Sequence, residues 1–386
     1  MRKAVNLDDL RRAARRKLPR MVADFMEGGA EDEFTLDENR RGFRDIALRP
    51  RVLVDVSRRD LSTTVCGERL ELPVVLAPTG LTRLASRDGE IGAARAANRA
   101  GTVLMLSSAA SFTIEQIATA APGPMWFQLY PWRDREVVGA LIERARAAGC
   151  RVIAVTVDSA TIGARERDTR NGFSVPLRPT LRNVLDVARH PTWLRQTLFG
   201  PPVNFANLAD VAPDKNQGVQ SLARYTSDLN NPANDWSEFD WLREQWDGPL
   251  MIKGIMDAED GKRAVAHGAD GVIVSNHGGR QIDGVAGSID VLPEVVEAVD
   301  GQIDVMLDGG VRRGIDVLKA VALGAKAVMV GRPLWWGLAA GGERGVDRVL
   351  EILRGEMDRT MALSGRPTLA DFDRSAVRVR RHSGWD

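Results

Sequence analysis

The sequence contains few of the features that mark disulfide-stabilised, metal-binding or membrane-spanning proteins. Its two cysteines, Cys66 and Cys150, lie far apart without a metal-ligand pattern, so we expect no disulfide framework and no metal, and a reducing cytoplasm is the simpler prediction. No apolar stretch approaches the roughly 20 residues that a membrane-spanning helix needs. The N-terminus leads into a charged segment, unlike the apolar centre of a secretory signal. The formal net charge of +1 gives no reason to expect a nucleic-acid partner.

Eight short, nearly continuous apolar runs punctuate the 386 residues, and each ends in small or polar residues. Runs of this length and composition are typical of parallel strands that are buried on both faces. They span residues 72–78, 102–107, 124–130, 151–158, 249–254, 271–277, 303–308 and 327–332.

Segments rich in Ala, Arg and Glu lie between these runs and carry the pattern of helices. Several of them end at or near glycine, a common helix stop. Examples are residues 89–100, 133–148, 258–267 and 314–323. Strand followed by helix, repeated eight times, predicts an α/β fold of the (β/α)8 TIM-barrel type. A doubly wound open sheet is the competing interpretation, but it usually has fewer strands.

The whole chain, 1–386, is interpreted as a single barrel domain with two additions. Residues 1–70 precede the barrel, with an amphipathic helix predicted over 6–26 and short strands over 46–72 that lie at the barrel floor. Residues 174–240 interrupt the repeat after the fourth strand and contain seven prolines, which predicts loop with short helices. An insertion at this end of a barrel is usually a lid or a docking surface, and a surface elaboration without a role is the alternative.

Polar and ionisable residues recur where the apolar runs end, which in a (β/α)8 barrel is the face that carries the active site. A purely structural core would not place Asp158, Lys253 and His277 at equivalent strand ends. Lys253 is expected to put a positive charge near an electron-rich ring, or else to form a buried ion pair. The other residues at these ends are Pro78, Thr79, Gly80, Ser107, Gln128, Tyr130, Thr156, Ser275 and Asp308.

The last two strands end in glycines that are followed by arginines. Amides exposed by glycine, together with two guanidinium groups, form a phosphate cradle, and barrels commonly have one after strands seven and eight. Such a cradle fits a sugar phosphate as well as a cofactor phosphate. Its residues are Gly309, Gly310, Arg312, Gly331 and Arg332.

The stretch Ser275-Asn276-His277-Gly278-Gly279-Arg280 is the sharpest local signal. His277 is one of only four histidines, and the glycines beside it allow a tight turn that lets His277 and Arg280 face one cavity. Histidine suits proton abstraction near neutral pH, and arginine suits bidentate capture of a carboxylate. Asp158 is placed to accept a hydrogen bond from the other ring nitrogen. Tyr130, one of two tyrosines, binds substrate or packs at the rim.

At these residues the chain resembles the FMN-dependent 2-hydroxy acid oxidase and dehydrogenase family, which includes glycolate oxidase, lactate dehydrogenases and mandelate dehydrogenase. The resemblance runs from about residue 17 to residue 364. Its most specific element is Ser-Asn-His-Gly-Gly-Arg-Gln at 275–281, and supporting stretches lie at 28–32, 126–130, 308–314 and 363–365.

The resemblance implies a role for each matching residue. His277 is the base, Asp158 its partner, Arg165 and Arg280 hold the substrate carboxylate, and Tyr130 hydrogen-bonds the substrate. FMN contacts are implied at Pro78, Thr79, Gly80, Ser107, Gln128, Thr156, Lys253 and Ser275. Its phosphate contacts are implied at Asp308, Gly309, Gly310, Arg312, Gly331 and Arg332. The implied reaction is oxidation of an (S)-2-hydroxy acid to a 2-oxo acid, by hydride transfer or through a carbanion.

Three departures from the family bear on the substrate. Phe25 stands where many members have a carboxylate-binding tyrosine; a lost hydrogen bond to a charged group costs roughly 1.5–3 kcal/mol if nothing replaces it. Ala109 replaces the tryptophan of glycolate oxidases, and Gly80 replaces a common alanine. Small residues at both places resemble the mandelate branch and predict a bulky or aryl 2-hydroxy acid. A carrier- or peptide-linked hydroxy acid is the alternative.

The resemblance leaves the partners open. Oxygen, a quinone and a protein carrier all occur as electron acceptors among relatives, which are commonly tetramers or octamers. Residues 187–205 are basic and aromatic, which suits either peripheral contact with a membrane surface or a lid. Another FMN- or phosphate-binding barrel, such as an isomerase or lyase, is the alternative enzyme, and a non-catalytic FMN-binding protein is the alternative from a different class.

Overall fold

The computed structural model describes residues 4–173, 180–200, 203–209, 229–381 and 384–385. Eight parallel strands close into a barrel in chain order, with the last strand paired to the first, so the (β/α)8 prediction is confirmed. The barrel strands are β4 Val74–Leu76, β5 Leu104–Ser107, β6 Met125–Leu129, β7 Ile153–Thr156, β8 Leu250–Ile255, β9 Gly271–Val274, β10 Asp304–Asp308 and β11 Ala327–Val330. Each lies within the run that predicted it, apart from Ile255 at the end of β8.

Alternate residues of these strands build two separate apolar clusters. Val75, Met105 and Trp126 point into the barrel and are completely buried there. Their neighbours in sequence, such as Val74 and Leu106, belong to the larger cluster that also contains the surrounding helices. Alternate side chains of each strand thus fill the barrel interior, and the side chains between them pack against the surrounding helices. Both faces of the strands are buried, which explains why the runs are apolar throughout.

Helices surround the barrel between its strands. They are α4 Gly89–Arg99, α5 Ile114–Ala120, α6 Arg135–Ala147, α7 Glu166–Arg170, α8 Leu181–Ala188, α9 Pro191–Leu198, α10 Trp236–Gln245, α11 Ala258–Ala266, α12 Ser288–Val299, α13 Gly314–Ala322, α14 Arg332–Gly341 and α15 Glu343–Ser364. The four helices predicted from the sequence agree with α4, α6, α11 and α13 to within two residues at each end. The start of α6 is set by Asp134, whose side chain accepts hydrogen bonds from the amides of Glu136 and Val137.

The single helix predicted over residues 6–26 was wrong. Two helices, α1 Leu7–Lys17 and α2 Arg20–Glu27, cover this region. The break falls at Leu18-Pro19, where Leu18 has an extended backbone, because proline disfavours the helical conformation in the residue before it. The amphipathic pattern continues across the break, which is why periodicity alone did not reveal it.

The rest of the N-terminal region reaches both the top and the floor of the barrel. Helix α3, Phe34–Arg44, leads into β1, Ile46–Leu48, which pairs antiparallel with β12, Val377–Arg381, and β12 pairs in turn with β13, Gly384–Trp385. Strands β2, Thr63–Val65, and β3, Glu68–Leu70, form a hairpin whose Val65 and Leu70 join the apolar cluster inside the barrel. The hairpin therefore covers the barrel floor, opposite the strand ends that carry the ionisable residues.

The segment between β7 and β8 departs from the simple repeat. Its described part contains α7 to α10, and residues 174–179, 201–202 and 210–228 lie outside the described residues. Helices α8 and α9 expose Leu181, Leu185 and Leu198 to solvent. Of the helices that the structure describes, none combines the length with the apolar composition that crossing a bilayer requires.

Candidate active site

The imidazole of His277 and the carboxylate of Asp158 form a pair at the barrel mouth. His277 follows β9 with φ +57°, and its Nδ1 lies 2.9 Å from Asp158 Oδ1. Burial opposes the charge on Asp158, but the imidazole of His277 and the ammonium group of Lys253 outweigh it and lower the pKa of Asp158. Because an ionised carboxylate only accepts hydrogen bonds, Nδ1 carries the proton and Nε2 is the nitrogen that can take one up.

Gly254 makes room for this pair. It has φ +113°, and a Cβ there would lie 2.7 Å from the Cβ of Asp158 and 3.0 Å from its amide nitrogen. The pairing of β8 with β9 is irregular at this point, between Lys253 and Ile255. A glycine in the strand therefore allows the Asp158 backbone to approach β8 closely. Sequence reasoning missed Gly254, although an isolated glycine at the end of an apolar run was its signal.

Lys253 lies in a buried polar group beside the pair. Its Nζ donates to Ser275 Oγ at 3.0 Å and lies 3.2 Å from Asp308 Oδ2, and Ser275 Oγ donates to the same carboxylate at 2.9 Å. Burial opposes the charge, but the carboxylates of Asp308 and Asp158 raise the pKa of Lys253. The ion pair expected as the alternative for Lys253 is therefore present, and the carboxylates beside it favour the charged form of Lys253 at the barrel mouth.

Tyr130, Arg165 and Arg280 form a second group at the barrel mouth that interacts with Asp158 and Lys253. Burial raises the pKa of Tyr130; Asp158 adds to this effect, and Lys253, Arg165 and Arg280 oppose it, so the phenol interacts electrostatically with all four groups. Burial has the opposite effect on Arg165 and Arg280, whose pKa values it lowers because it disfavours their charged forms. Two partly desolvated guanidinium groups next to a phenol attract a carboxylate strongly.

The C-terminal end of α2 holds Arg280 in place. Nη1 of Arg280 donates to the carbonyls of Phe25 at 2.8 Å and Gly28 at 2.9 Å, and its guanidinium lies 5.2 Å from the centre of the Phe25 ring. The Phe25 ring stacks on Phe173 with centroids 4.3 Å apart and meets Trp335 edge-on. The position where many relatives have a tyrosine is therefore part of an aromatic wall, which sequence reasoning did not foresee because Phe173 and Trp335 are distant in the chain.

Asp168 is a further residue that the sequence analysis missed. It lies three residues after Arg165, and burial raises the pKa of its carboxyl group, whereas Arg280 and Arg165 act in the opposite direction. Its carboxylate therefore balances part of the charge of the two arginines. The spacing from Arg165 along a short helix was the available signal.

The small residues Gly80 and Ala109 lie against each other. A Cβ at position 80 would lie 2.9 Å from the Ala109 carbonyl oxygen and 3.1 Å from its Cβ, and the amide of Leu81 donates to the same carbonyl. The loops after β4 and β5 are thus in close contact, and neither residue extends a bulky side chain.

The residues predicted to form the phosphate cradle lie at the ends of β10 and β11. Gly310 has φ +75°, and a Cβ there would lie 1.8 Å from the carbonyl oxygen of Asn39, so only glycine fits. Arg332 donates to the carbonyls of Glu27, Gly28 and Gly278, at 3.2, 3.0 and 2.9 Å. Gly309 and Gly331 flank these groups, and Gly331 lies beside Thr79.

Several buried polar atoms at the strand ends fit a bound FMN. Within the part of the chain that the structure describes, Thr79 Oγ1, Gln128 Nε2 and Thr156 Oγ1 have no hydrogen-bond partner. The amide of Gln128 is oriented by Ser107, whose Oγ donates to Oε1 at 2.9 Å. Buried polar groups are rarely left unpaired, so donors and acceptors at the ends of β4, β6 and β7 match a polar ring system, and the arginines of the cradle match its phosphate.

The chain is similar to known proteins along almost its whole length. The family model of FMN-dependent dehydrogenases matches residues 14–379. Glycolate oxidase 3 of Arabidopsis thaliana is 43% identical over 381 residues, which cover 99% of this chain and 96% of that protein. Glycolate oxidase of Spinacia oleracea is 42% identical with the same coverage.

Two solved structures extend the similarity to the whole fold. The monotopic membrane protein (S)-mandelate dehydrogenase superposes with a TM-score of 0.93 at 39% identity, covering 97% of this chain and 99% of that one. Mandelate oxidase with (S)-4-hydroxymandelic acid gives a TM-score of 0.85 at 39% identity and the same coverage. The chain belongs to the FMN-dependent dehydrogenase family and is an FMN-dependent enzyme that oxidises 2-hydroxy acids.

Proposed function

We propose that this enzyme oxidises a bulky, preferably aryl, (S)-2-hydroxy acid to the corresponding 2-oxo acid, with His277 as the base. The observation that carries the proposal is the His277–Asp158 pair at the barrel mouth, where Tyr130 interacts with both Arg165 and Arg280. A base and two carboxylate-binding cations around one cavity are what a 2-hydroxy acid requires.

Each residue has a defined task in this proposal. Arg165 and Arg280 bind the substrate carboxylate and so orient the carbon that carries the hydroxyl group. Nε2 of His277 accepts one of the two hydrogens that the substrate loses, as a proton, and Asp158 stabilises the resulting imidazolium. Tyr130 hydrogen-bonds the substrate. FMN, when bound, would accept the two electrons, and the second hydrogen would leave either with them as hydride or as a separate proton. Its contacts are proposed at Pro78, Thr79, Gly80, Ser107, Gln128, Thr156, Lys253, Ser275, Asp308, Gly309, Gly310, Arg312, Gly331 and Arg332.

Two features of the residues around the barrel mouth support an aryl substrate. Gly80 and Ala109 place no bulky side chain at the loops after β4 and β5. The stacked rings of Phe25 and Phe173 provide an aromatic surface next to Arg280. Contact between aromatic rings adds stabilisation beyond that from the apolar area they bury, so this surface favours an aryl substrate. Structural neighbours named for mandelate point the same way, whereas the glycolate oxidases among the relatives define the competing substrate.

The test is steady-state kinetics with glycolate, lactate and both enantiomers of mandelate. We expect the highest kcat/KM for (S)-mandelate. The variant Ala109→Trp is compared with the unaltered enzyme. It should lower kcat/KM for mandelate and leave kcat/KM for glycolate within a fewfold range. A preference of the unaltered enzyme for glycolate would end the aryl proposal but leave the role of His277 intact. The same measurements under air and with a quinone identify the electron acceptor.

We propose further that α8 and α9 contact a membrane surface. Leu181 is 79% exposed and Phe199, directly after α9, is 85% exposed. Arg189 and Arg195 lie close to them in sequence, and a basic segment with exposed apolar side chains binds anionic lipid. Co-flotation with vesicles containing anionic phosphatidylglycerol should be lost in the double variant Leu181→Ser, Phe199→Ser. Failure of the unaltered protein to float would favour a lid role. A tetrameric or octameric state and a cytoplasmic location remain predictions.

A further inference from the structure

A cleft of about 520 Å³ opens beside the phosphate cradle. Its walls come from α1, α3, the loop after β10 and the start of α14. Among the residues that line it are Arg40 and Arg44 of α3, Arg312 and Arg332 of the cradle, and Trp336. The cleft therefore joins the N-terminal region to the cradle through positively charged side chains.

Helix α3 is locked against the cradle. The carbonyl oxygen of Asn39 lies where a side chain at Gly310 would begin. The side chains of Asn39 and Asn276 exchange hydrogen bonds of 2.8 and 2.9 Å, and the amide of Ser288 donates to Asn39 Oδ1 at 3.0 Å. Asn39 is buried. The next residue, Arg40, therefore extends into the cleft from backbone that is packed against the cradle.

The cations in the cleft fall into two groups. Arg11 is neutralised by Glu27, to which it donates two hydrogen bonds of 2.9 and 3.0 Å, and Arg313 forms an ion pair with Glu356 at 3.0 Å. Arg40, Arg44, Arg312, Lys319 and Arg332 form no ion pair with a carboxylate among the described residues. Of these, Arg40 and Arg332 are among the charges that act most strongly on Arg312, and Arg44 is not.

The second group creates an excess of positive charge. Burial lowers the pKa of Arg312 to about 9, and the charges of Arg332 and Arg40 add to this effect. Burial also lowers the pKa of Arg332 to about 10. Three guanidinium groups whose charges repel one another are stabilised together by a dianion, and a phosphate monoester carries nearly two negative charges at neutral pH.

We propose that Arg40 is the third guanidinium group that binds the FMN phosphate. The N-terminal region thereby contributes directly to the cofactor site, since α3 places Arg40 across the cleft from Arg312 and Arg332. This inference rests on the proposed position of the phosphate at Gly309 and Gly310. It adds a residue that lies outside every motif by which the sequence resembles the family.

The experiment compares two flavins that differ only in the phosphate. Dissociation constants of FMN and riboflavin for the apoprotein are measured by quenching of flavin fluorescence. The proteins are the unaltered chain, Arg40→Gln, Arg312→Gln and the control Arg44→Gln, which removes the same charge one helical turn further along α3 in the same cleft. Thermal unfolding of each apoprotein checks that the variants fold.

We expect Arg40→Gln to weaken FMN binding about tenfold. Arg40 is exposed, so solvent screens part of its charged hydrogen bond to the phosphate and the loss is moderate. Riboflavin binding should stay within twofold, as should FMN binding by Arg44→Gln. Arg312→Gln, at a less exposed position than Arg40, should weaken FMN binding about a hundredfold.

The outcomes separate this inference from the proposed function. Unchanged FMN binding by Arg40→Gln, together with weakened binding by Arg312→Gln, would overturn the inference and leave the phosphate site in place. Unchanged binding in both variants would show that the phosphate lies elsewhere. Equal weakening of FMN and riboflavin by Arg40→Gln would also overturn the inference, because it would indicate a structural role.

Discussion

At the reaction end of the site, side chains contact one another: His277 with Asp158, and Lys253 with Ser275 and Asp308. At the phosphate end, the site consists of close backbone contacts and of arginines that lack an ion pair in the described part of the chain. Gly310 lies directly against the carbonyl group of Asn39. Changes at His277 or Asp158 should therefore alter turnover while FMN stays bound, because these two side chains pair with each other and neither is a proposed FMN contact. Changes at the phosphate end should alter FMN retention, because Arg312 and Arg332 form no close ion pair with a carboxylate among the described residues and are proposed to bind the phosphate.

His277→Ala should have the largest effect. Removing a general base should lower kcat by about a thousandfold. Among the described residues, His277 is the only imidazole that pairs with Asp158, so the variant has no replacement base at this position. Turnover is measured with the preferred 2-hydroxy acid, and FMN content by absorbance. The comparison of the two ends breaks if the variant is purified without FMN.

Gly310→Ala should destabilise the phosphate end by about 3 kcal/mol, because the added Cβ meets the Asn39 carbonyl oxygen and φ is +75°. The measurements are FMN affinity and the free energy of unfolding of the apoprotein. Gly301→Ala is the matched control, since φ there is +68° and nothing lies within 4 Å of the added Cβ. Equal effects at both positions would show that positive φ alone matters and that contact with α3 does not.

Asp158→Asn should lower kcat by about a hundredfold, since an amide that donates to Nδ1 favours the wrong tautomer of His277. FMN affinity should stay the same. An unchanged kcat would contradict the role of the pair.

The same variant predicts a pH effect on stability. The pKa of Asp158 is lowered from the usual 3.8, so its ionised form stabilises the fold above about pH 3.8, and this contribution disappears as the pH falls through the lower folded-state pKa. The difference in unfolding free energy between the unaltered protein and Asp158→Asn should therefore be constant near neutral pH and shrink only in acid. A difference that already shrinks between pH 7 and pH 5 would contradict the lowered pKa.

Phe25→Tyr should have the smallest effect. A phenol added beside Arg280 offers the substrate carboxylate one more hydrogen bond, so KM should fall about threefold with kcat unchanged. Phe25→Leu is the control that removes the stacking on Phe173 without adding a donor. A rise in KM for Phe25→Tyr would show that the hydroxyl group disturbs the aromatic wall.

Sequence patterns predicted the barrel because each strand has a local signal, a short apolar run that ends in polar residues. They also predicted which side chains lie at the active face, since parallel strands align their ends. They failed where an effect depends on residues distant in the chain. Phe173 and Trp335 pack on Phe25, and Asn39 blocks Gly310, but none of these contacts leaves a periodic or compositional trace. The break at Pro19 was local, and its signal was present but outweighed by the helical pattern.

By itself, then, the sequence determined the barrel and the order of its strands, because each strand is marked by its own apolar run. It also predicted the base and the phosphate cradle from the residues at the strand ends, whereas Arg165 came only from the family resemblance. Only the tertiary structure decided which tautomer His277 holds, which cations are already neutralised by carboxylates, and that α3 brings Arg40 to the cradle. The physical reason is that charge balance and close packing are properties of neighbours in space, and the chain supplies those neighbours from helices and loops hundreds of residues apart.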